Sequence, residues 1–169
     1  MDSHQYTFSC AVVTMSDKGA AGQRKDTSGL ALQELLVKEG FHLKEYIIIP
    51  DSVKIISETL IDLVDNKKID LVVTTGGTGV APSDLTPEAM RMVIEKEVPG
   101  MAEAMRAASF AITPHSVISR GITGIRKKSL IVNLPGSKKA ALENIAVILP
   151  AFPHALQKIK GEKSDCGQP

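Results

Sequence analysis

The chain has 169 residues, 43% hydrophobic and 23% charged, and its 20 lysines and arginines against 19 aspartates and glutamates leave a formal net charge of +1. That length suits one domain with a full core, and the near-neutral balance supplies no general field for nucleic acid or anionic lipid, so anion binding has to be local. Aromatic residues make up only 4% and Trp is absent, so Val, Ile, Leu, Ala and Met must build the core.

Residues 1–9 contain no apolar leader core and no later apolar run reaches the length of a membrane span, so a cytoplasmic protein is expected. Cys10 lies in an apolar run and Cys166 in a polar tail, without disulfide or zinc spacing, and both are expected to be reduced thiols. Residues 8–15, with Val12 and Val13, read as a buried strand followed by a polar loop over 16–27. Asp26, Thr27 and Ser28 are candidate N-caps for a helix with apolar positions at Leu30, Leu32, Leu35 and Leu36, which Gly40 stops. Residues 46–49 read as a second strand ending at Pro50, and Asp51 and Ser52 can cap a helix through Ile55, Ile56, Leu60, Leu63 and Val64. A third strand over 71–73 runs into Thr74-Thr75-Gly76-Gly77-Thr78-Gly79, after which Thr86 is expected to cap a helix with Pro87 in its first position.

Pro99-Gly100 is expected to break a helix, residues 101–111 to form another, and Pro114 to end it. Residues 129–134 read as a further buried strand, 133–137 as a special turn, 138–149 as a helix and 151–160 as a last short helix. There is no repeat and no interdomain linker, which predicts one domain over 1–160 and a polar, disordered tail over 161–169. Strands alternating with helices predict an α/β three-layer sandwich, a mainly parallel sheet covered by helices on both faces.

In such a sheet, ligands bind beyond the carboxyl ends of the strands. Ser16 and Asp17 follow the first strand, Asp51 the second, Thr75 to Asp84 the third, and Asn133 to Ser137 the later one, so four loops can share one edge. The glycine-rich run offers successive backbone N–H groups for a phosphate or a polar heterocycle. It lacks the Walker spacing and its lysine, and it does not match G-x-G-x-x-G; taken alone it reads equally as a strand-to-helix turn. Asp51 and Asp84 are either cap or turn carboxylates, worth about 1 kcal/mol each, or a pair that holds Mg²⁺ against a nucleotide, with Ser52 and Thr86 as the better-placed caps. His4, His42, His115 and His154 form no ligand-spaced cluster.

In their order and spacing, Thr75-Gly76-Gly77-Thr78-Gly79, Asp84-Leu85-Thr86-Pro87-Glu88-Ala89 and Asn133-Leu134-Pro135-Gly136 resemble the molybdopterin adenylyltransferase family of the MogA type, related to the gephyrin G domain. Ser16-Asp17, Pro50-Asp51 and Ile118-Ser119-Arg120 extend the resemblance over about residues 8–160. It implies a homotrimer that transfers AMP from Mg-ATP to molybdopterin and releases pyrophosphate in molybdenum cofactor biosynthesis, with a downstream molybdenum insertase as a further partner and no nucleic acid or membrane. It also implies catalytic, Mg²⁺-holding roles for Asp51 and Asp84 and a ligand-handling role for Ser119. The substrate-binding set is then Ser16, Asp17, Thr75, Gly76, Gly77, Thr78, Gly79, Ser119, Asn133, Pro135, Gly136 and Ser137. One position departs from the pattern: many relatives carry Arg immediately before the second aspartate, whereas this chain has Ser83, with Arg120, Arg126, Lys138 and Lys139 as candidate replacements. The alternatives are a molybdopterin-binding paralogue or a trimeric scaffold with little transferase activity.

Overall fold

The computed structural model describes residues 7–162, so the polar tail from residue 163 onward, with Cys166, and His4 lie outside the described residues. Strand β1 (Ser9–Met15), buried at all but its first residue, leads through the single turn α1 (Asp17–Ala20) into α2 (Thr27–Lys38) and back as β2 (His42–Ile49). Helix α3 (Val53–Ile61) continues into a π-helical turn, Asp62–Asn66, before β3 (Leu71–Thr75). Then come α4 (Thr86–Val93), the short strand β4 (Lys96–Glu97), α5 (Pro99–Phe110) and a 3₁₀ turn, Pro114–Ile118. The chain ends through β5 (Thr123–Arg126), β6 (Ser129–Leu134), α6 (Lys138–Ile148) and α7 (Phe152–Ile159).

Among the described residues the strands form one sheet in the order β2-β1-β3-β6-β5-β4. The first four are parallel; at one side β5 pairs antiparallel with β6, and β4 antiparallel with β5. Every residue of β3 and β6 is buried, as the continuous apolar runs Leu71-Val72-Val73 and Leu130-Ile131-Val132 require of strands covered on both faces. Alternate residues feed two cores. Val12, Val73 and Val132 pack with Leu32, Ile145 and Phe152 on one face; Val13, Val72 and Ile131 pack with Ile56, Leu60 and Met90 on the other. The expected three-layer arrangement is therefore present. The registers Met15↔Ile49, Thr14↔Thr75 and Thr75↔Leu134 bring the carboxyl ends of the four parallel strands to one edge.

Several local expectations are corrected. Strand β2 begins at His42, earlier than its apolar run, because its outer half alternates exposed and half-buried residues. Leu30 faces outward at 39% exposure, while Leu63 and Val64 belong to the π turn. Pro99 opens α5 instead of breaking a helix; at a first helical position its missing N–H has no intrahelical partner to lose. Thr86 is not the cap of α4: Leu85 holds that position without a side-chain bond, and the Thr86 hydroxyl donates to the Gly76 carbonyl at 3.1 Å. Among the described residues no helix is long and apolar enough to cross a membrane.

Candidate functional site

The chain leaves β1 toward β2 on one side of the sheet, while β3 joins it on the other, and the crevice between β1 and β3 is where an open parallel sheet leaves room for a ligand. A cavity of about 470 Å³ opens there, at the carboxyl edge. Ser16, Asp51, Thr75 to Gly77, Asp84, and Gly136 with Ser137 all line it, so four separate loops converge as expected.

Each is positioned by a local device. Ser16 caps α1 by accepting from the Gly19 N–H at 3.0 Å, and its own N–H donates to the Ile49 carbonyl at 2.8 Å, tying the ends of β1 and β2 together. Asp17 is not itself a cavity wall, but it clasps Asp51 reciprocally: its N–H donates to Asp51 Oδ2 at 3.1 Å, and the Asp51 N–H donates to Asp17 Oδ1 at 2.9 Å. Ser52 caps α3, which leaves Asp51 free of that task. Asp84 folds back within its own turn, accepting from the Ala81 N–H at 2.9 Å. Gly79 makes room for this, since a Cβ there would lie 2.7 Å from Asp84 Oδ2. Arg120 braces the whole turn by donating to the carbonyls of Gly79 at 2.7 Å and Asp84 at 2.6 Å and by pairing with Glu88.

The glycine loop is shaped by the protein before any ligand arrives. Gly76 and Gly77 have φ of 106° and 63°, a left-handed region that side chains disfavour, and a Cβ would strike the Met15 carbonyl at one and the Thr86 hydroxyl at the other. The Gly76 N–H donates to the Leu134 carbonyl at 3.0 Å and the Thr75 hydroxyl to the Pro135 carbonyl at 2.6 Å, so this loop and the turn after β6 are bonded to each other. Asn133, 1% exposed, lies beneath them and donates to Thr74 Oγ1 at 3.0 Å. The N–H groups of Gly77, Thr78 and Gly79 find no acceptor among the described residues, which leaves them as donors for a ligand.

Thr78, Gly79, Ser119 and Pro135 fall elsewhere: they line a second cavity of about 260 Å³, with Ser116 and Asn144. The two strand-end loops thus form a partition, one flank facing Asp51 and Asp84 and the other facing Ser119. The hydroxyl of Ser116 is buried and without a partner.

Burial, followed by the charges of Asp17 and Asp84, raises the Asp51 pKa above its ordinary value against the bond from the Asp17 N–H. Negative charge crowded in this way calls for a cation. Among the described residues no three His, Cys, Asp or Glu side chains converge as a metal cage. Asp51 and Asp84 each have one oxygen engaged by a backbone N–H and one oxygen to spare. That donor set fits Mg²⁺, which takes one or two carboxylates and fills the rest of its shell with water and substrate phosphate.

The loop ahead of α2 and the first residues of that helix also enter the cavity, a placement that sequence reasoning missed: Arg24, Lys25, Asp26, Thr27 and Ser28 line it. Asp26 caps α2 through the Gly29 N–H at 2.9 Å and accepts from the hydroxyls of Thr14 at 2.5 Å and Tyr46 at 2.6 Å, so its oxygens are consumed in bracing. Burial and this bond to Asp26 push the Tyr46 phenol well above its usual range. Ser28 donates to the Gly136 carbonyl at 2.7 Å and closes the rim. Only the capping pattern at Asp26 signalled any of this. Of the four candidate replacement cations, Lys138 lines the cavity; Arg120 is spent on Glu88 and the Asp84 turn, Arg126 pairs with Asp65 at 2.6 Å, and Lys139 sits on the α6 surface beside Glu143.

Over residues 11–154 the chain matches the family described as "Probable molybdopterin binding domain". It is 41% identical over 157 residues to a Helicobacter pylori protein named molybdopterin adenylyltransferase, a match covering 92% of this chain and 89% of that protein. A Haemophilus influenzae protein of the same name is 41% identical over 165 residues, covering 89% of this chain and 83% of the relative. Among solved structures, the chain is similar to the molybdopterin biosynthesis enzyme MoaB from Thermus thermophilus, with 44% identity, a TM-score of 0.87, and coverage of 92% of this chain and 98% of that one.

Proposed function

The chain belongs to the molybdopterin-binding domain family, and on that premise we propose that it is the molybdopterin adenylyltransferase of molybdenum cofactor biosynthesis, using Mg-ATP. The observation that carries this assignment is the convergence of Asp51 and Asp84 on one cavity with the glycine-rich loop, at the carboxyl edge of the parallel strands. An oxygen of the terminal phosphate of molybdopterin attacks the α-phosphorus of ATP; that P–O bond forms, the α–β bridging P–O bond breaks, and pyrophosphate leaves. Asp51 and Asp84 would hold Mg²⁺, which when bound would neutralise charge on the phosphoryl oxygens. The N–H groups of Gly77, Thr78 and Gly79 orient a reactant against the partition, and Thr78, Ser119 and Pro135 seat the pterin on its far side. No side chain need act as nucleophile, because positioning and electrostatics carry phosphoryl-type transfer.

The assembly we propose is a homotrimer. Phe110, Ile112 and Val117 at 56%, 59% and 64% exposure give α5 and the turn after it an apolar surface to bury. The adenylylated product then passes to a molybdenum insertase. Incubating the purified chain with molybdopterin, Mg²⁺ and ATP labelled on its α-phosphate is expected to yield labelled molybdopterin and pyrophosphate. Label that stays in ATP would overturn the assignment.

A further inference from the structure

Two carboxylates and one divalent ion do not account for the binding of a triphosphate, whose charge exceeds what that ion neutralises. Positive charge lines the same cavity. Arg24 and Lys25 come from the loop ahead of α2 and Lys138 from the first position of α6, and all three line the cavity with Asp51 and Asp84. None of the three is in an ion pair among the described residues, whereas the three other candidate cations are all engaged with carboxylates. The first turns of α2 and α6, helices of 12 and 11 residues, meet at the same rim, where the Ser28 hydroxyl bonds the Gly136 carbonyl. Their dipoles add positive potential to that of the side chains. Asp26, which lines the same cavity, is in no ion pair among the described residues and accepts from Thr14, Tyr46 and Gly29. The cavity therefore carries three cations outside any ion pair among its lining residues, together with Asp51 and Asp84.

We propose that Arg24, Lys25 and Lys138 form a polyphosphate subsite that takes the β- and γ-phosphates of the nucleotide, and the pyrophosphate after transfer. This rests on the adenylyltransferase assignment and deepens it. The adenosine and α-phosphate lie nearer Asp51 and Asp84, and molybdopterin does not touch the three cations.

Calorimetric titrations with pyrophosphate, AMP and Mg-ATP separate these contributions. Arg24→Ala, Lys25→Ala and Lys138→Ala are each expected to weaken pyrophosphate and Mg-ATP on the order of tenfold, and the triple variant a hundredfold or more, as for charge-assisted phosphate contacts. AMP and molybdopterin should bind within about twofold of wild type, because neither reaches the subsite. Lys138→Arg should retain most of the pyrophosphate affinity. Lys139→Ala removes the same charge one residue outside the cavity and should change nothing. Equal weakening by Lys139→Ala would reduce the effect to net charge and overturn the subsite. So would a triple variant that binds pyrophosphate like wild type while the wild type transfers AMP, which leaves the enzymatic assignment standing. A wild-type chain that binds neither pyrophosphate nor Mg-ATP would overturn both.

Discussion

Asp51 is held where ionisation works against the fold. Burial, then the charges of Asp17 and Asp84, lift its folded-state pKa above the unfolded value of about 3.9. The folded state consequently binds more protons between the two values, so the penalty is absent below the unfolded pKa and grows as pH rises through the folded one. At neutral pH, Asp51→Asn keeps an oxygen for the Asp17 N–H and loses the charge. Its melting temperature is expected to equal or exceed that of wild type, while single-turnover AMP transfer falls by about a hundredfold or more; Asp84→Asn should show the same loss of rate. Destabilised variants with near-native rates would reduce both aspartates to turn residues. Glycine substitutions separate shape from chemistry in the same way. Gly76→Ala meets a left-handed φ and the Met15 carbonyl, and should cost about 2 kcal/mol or more in denaturant unfolding. Gly79→Ala meets only the Asp84 carboxylate, at ordinary φ, and should slow transfer with a far smaller loss of stability.

Elements are joined at both ends of the sheet, and the two ends do different work. At the carboxyl edge, the glycine loop and the turn after β6 are bonded to each other and braced by Asn133 from below. At the amino edge, Asp70 accepts from the N–H and hydroxyl of Ser9, both at 2.8 Å, and pairs with Lys160 at 2.6 Å, so one carboxylate fastens β1 and the end of α7 to β3. Burial works to raise the Asp70 pKa, but Lys160 and Ser9 outweigh it and the net shift is downward. Its contribution is thus fully present above the unfolded value of about 3.9 and is lost as pH falls through the folded one. Asp70→Asn is expected to cost about 1–2 kcal/mol at pH 7. The gap from wild type should close as urea titrations are repeated toward about pH 3. A gap independent of pH would assign the effect to hydrogen bonding alone.

For the whole molecule, strand order is what turns scattered loops into a site: β1 sits between β2 and β3, and β6 follows β3, so four carboxyl ends adjoin. The exposed apolar residues on α5 and the following 3₁₀ turn lie beside the second cavity, so assembly through them would also shelter the proposed pterin seat. Light scattering is expected to give the mass of three chains, and Val117→Asp with Ile112→Asp to shift it downward, because charge in a buried apolar interface is costly. A wild-type monomer at micromolar concentration would count against the trimer.

Legible along the chain were the features with a local physical cause. Apolar runs marked the buried strands β1, β3 and β6; the glycines of 76–79 marked backbone that side chains disfavour at Gly76 and Gly77; and Asp51 and Asp84 stood out as carboxylates just beyond strands. The antiparallel pair β4 and β5 was not legible, since Lys96-Glu97 is exposed and offers no apolar signal. Nor could local pattern tell that Arg24 and Lys25 enter the first cavity, that Ser119 belongs to the second, or that Arg120 is spent on the Asp84 turn. Periodicity and capping report what a residue's neighbours in sequence require of it. Which loops face each other, and which cations are left unpaired, depends on strand order, register and contacts between residues tens of positions apart, and those are decided only when the sheet is assembled.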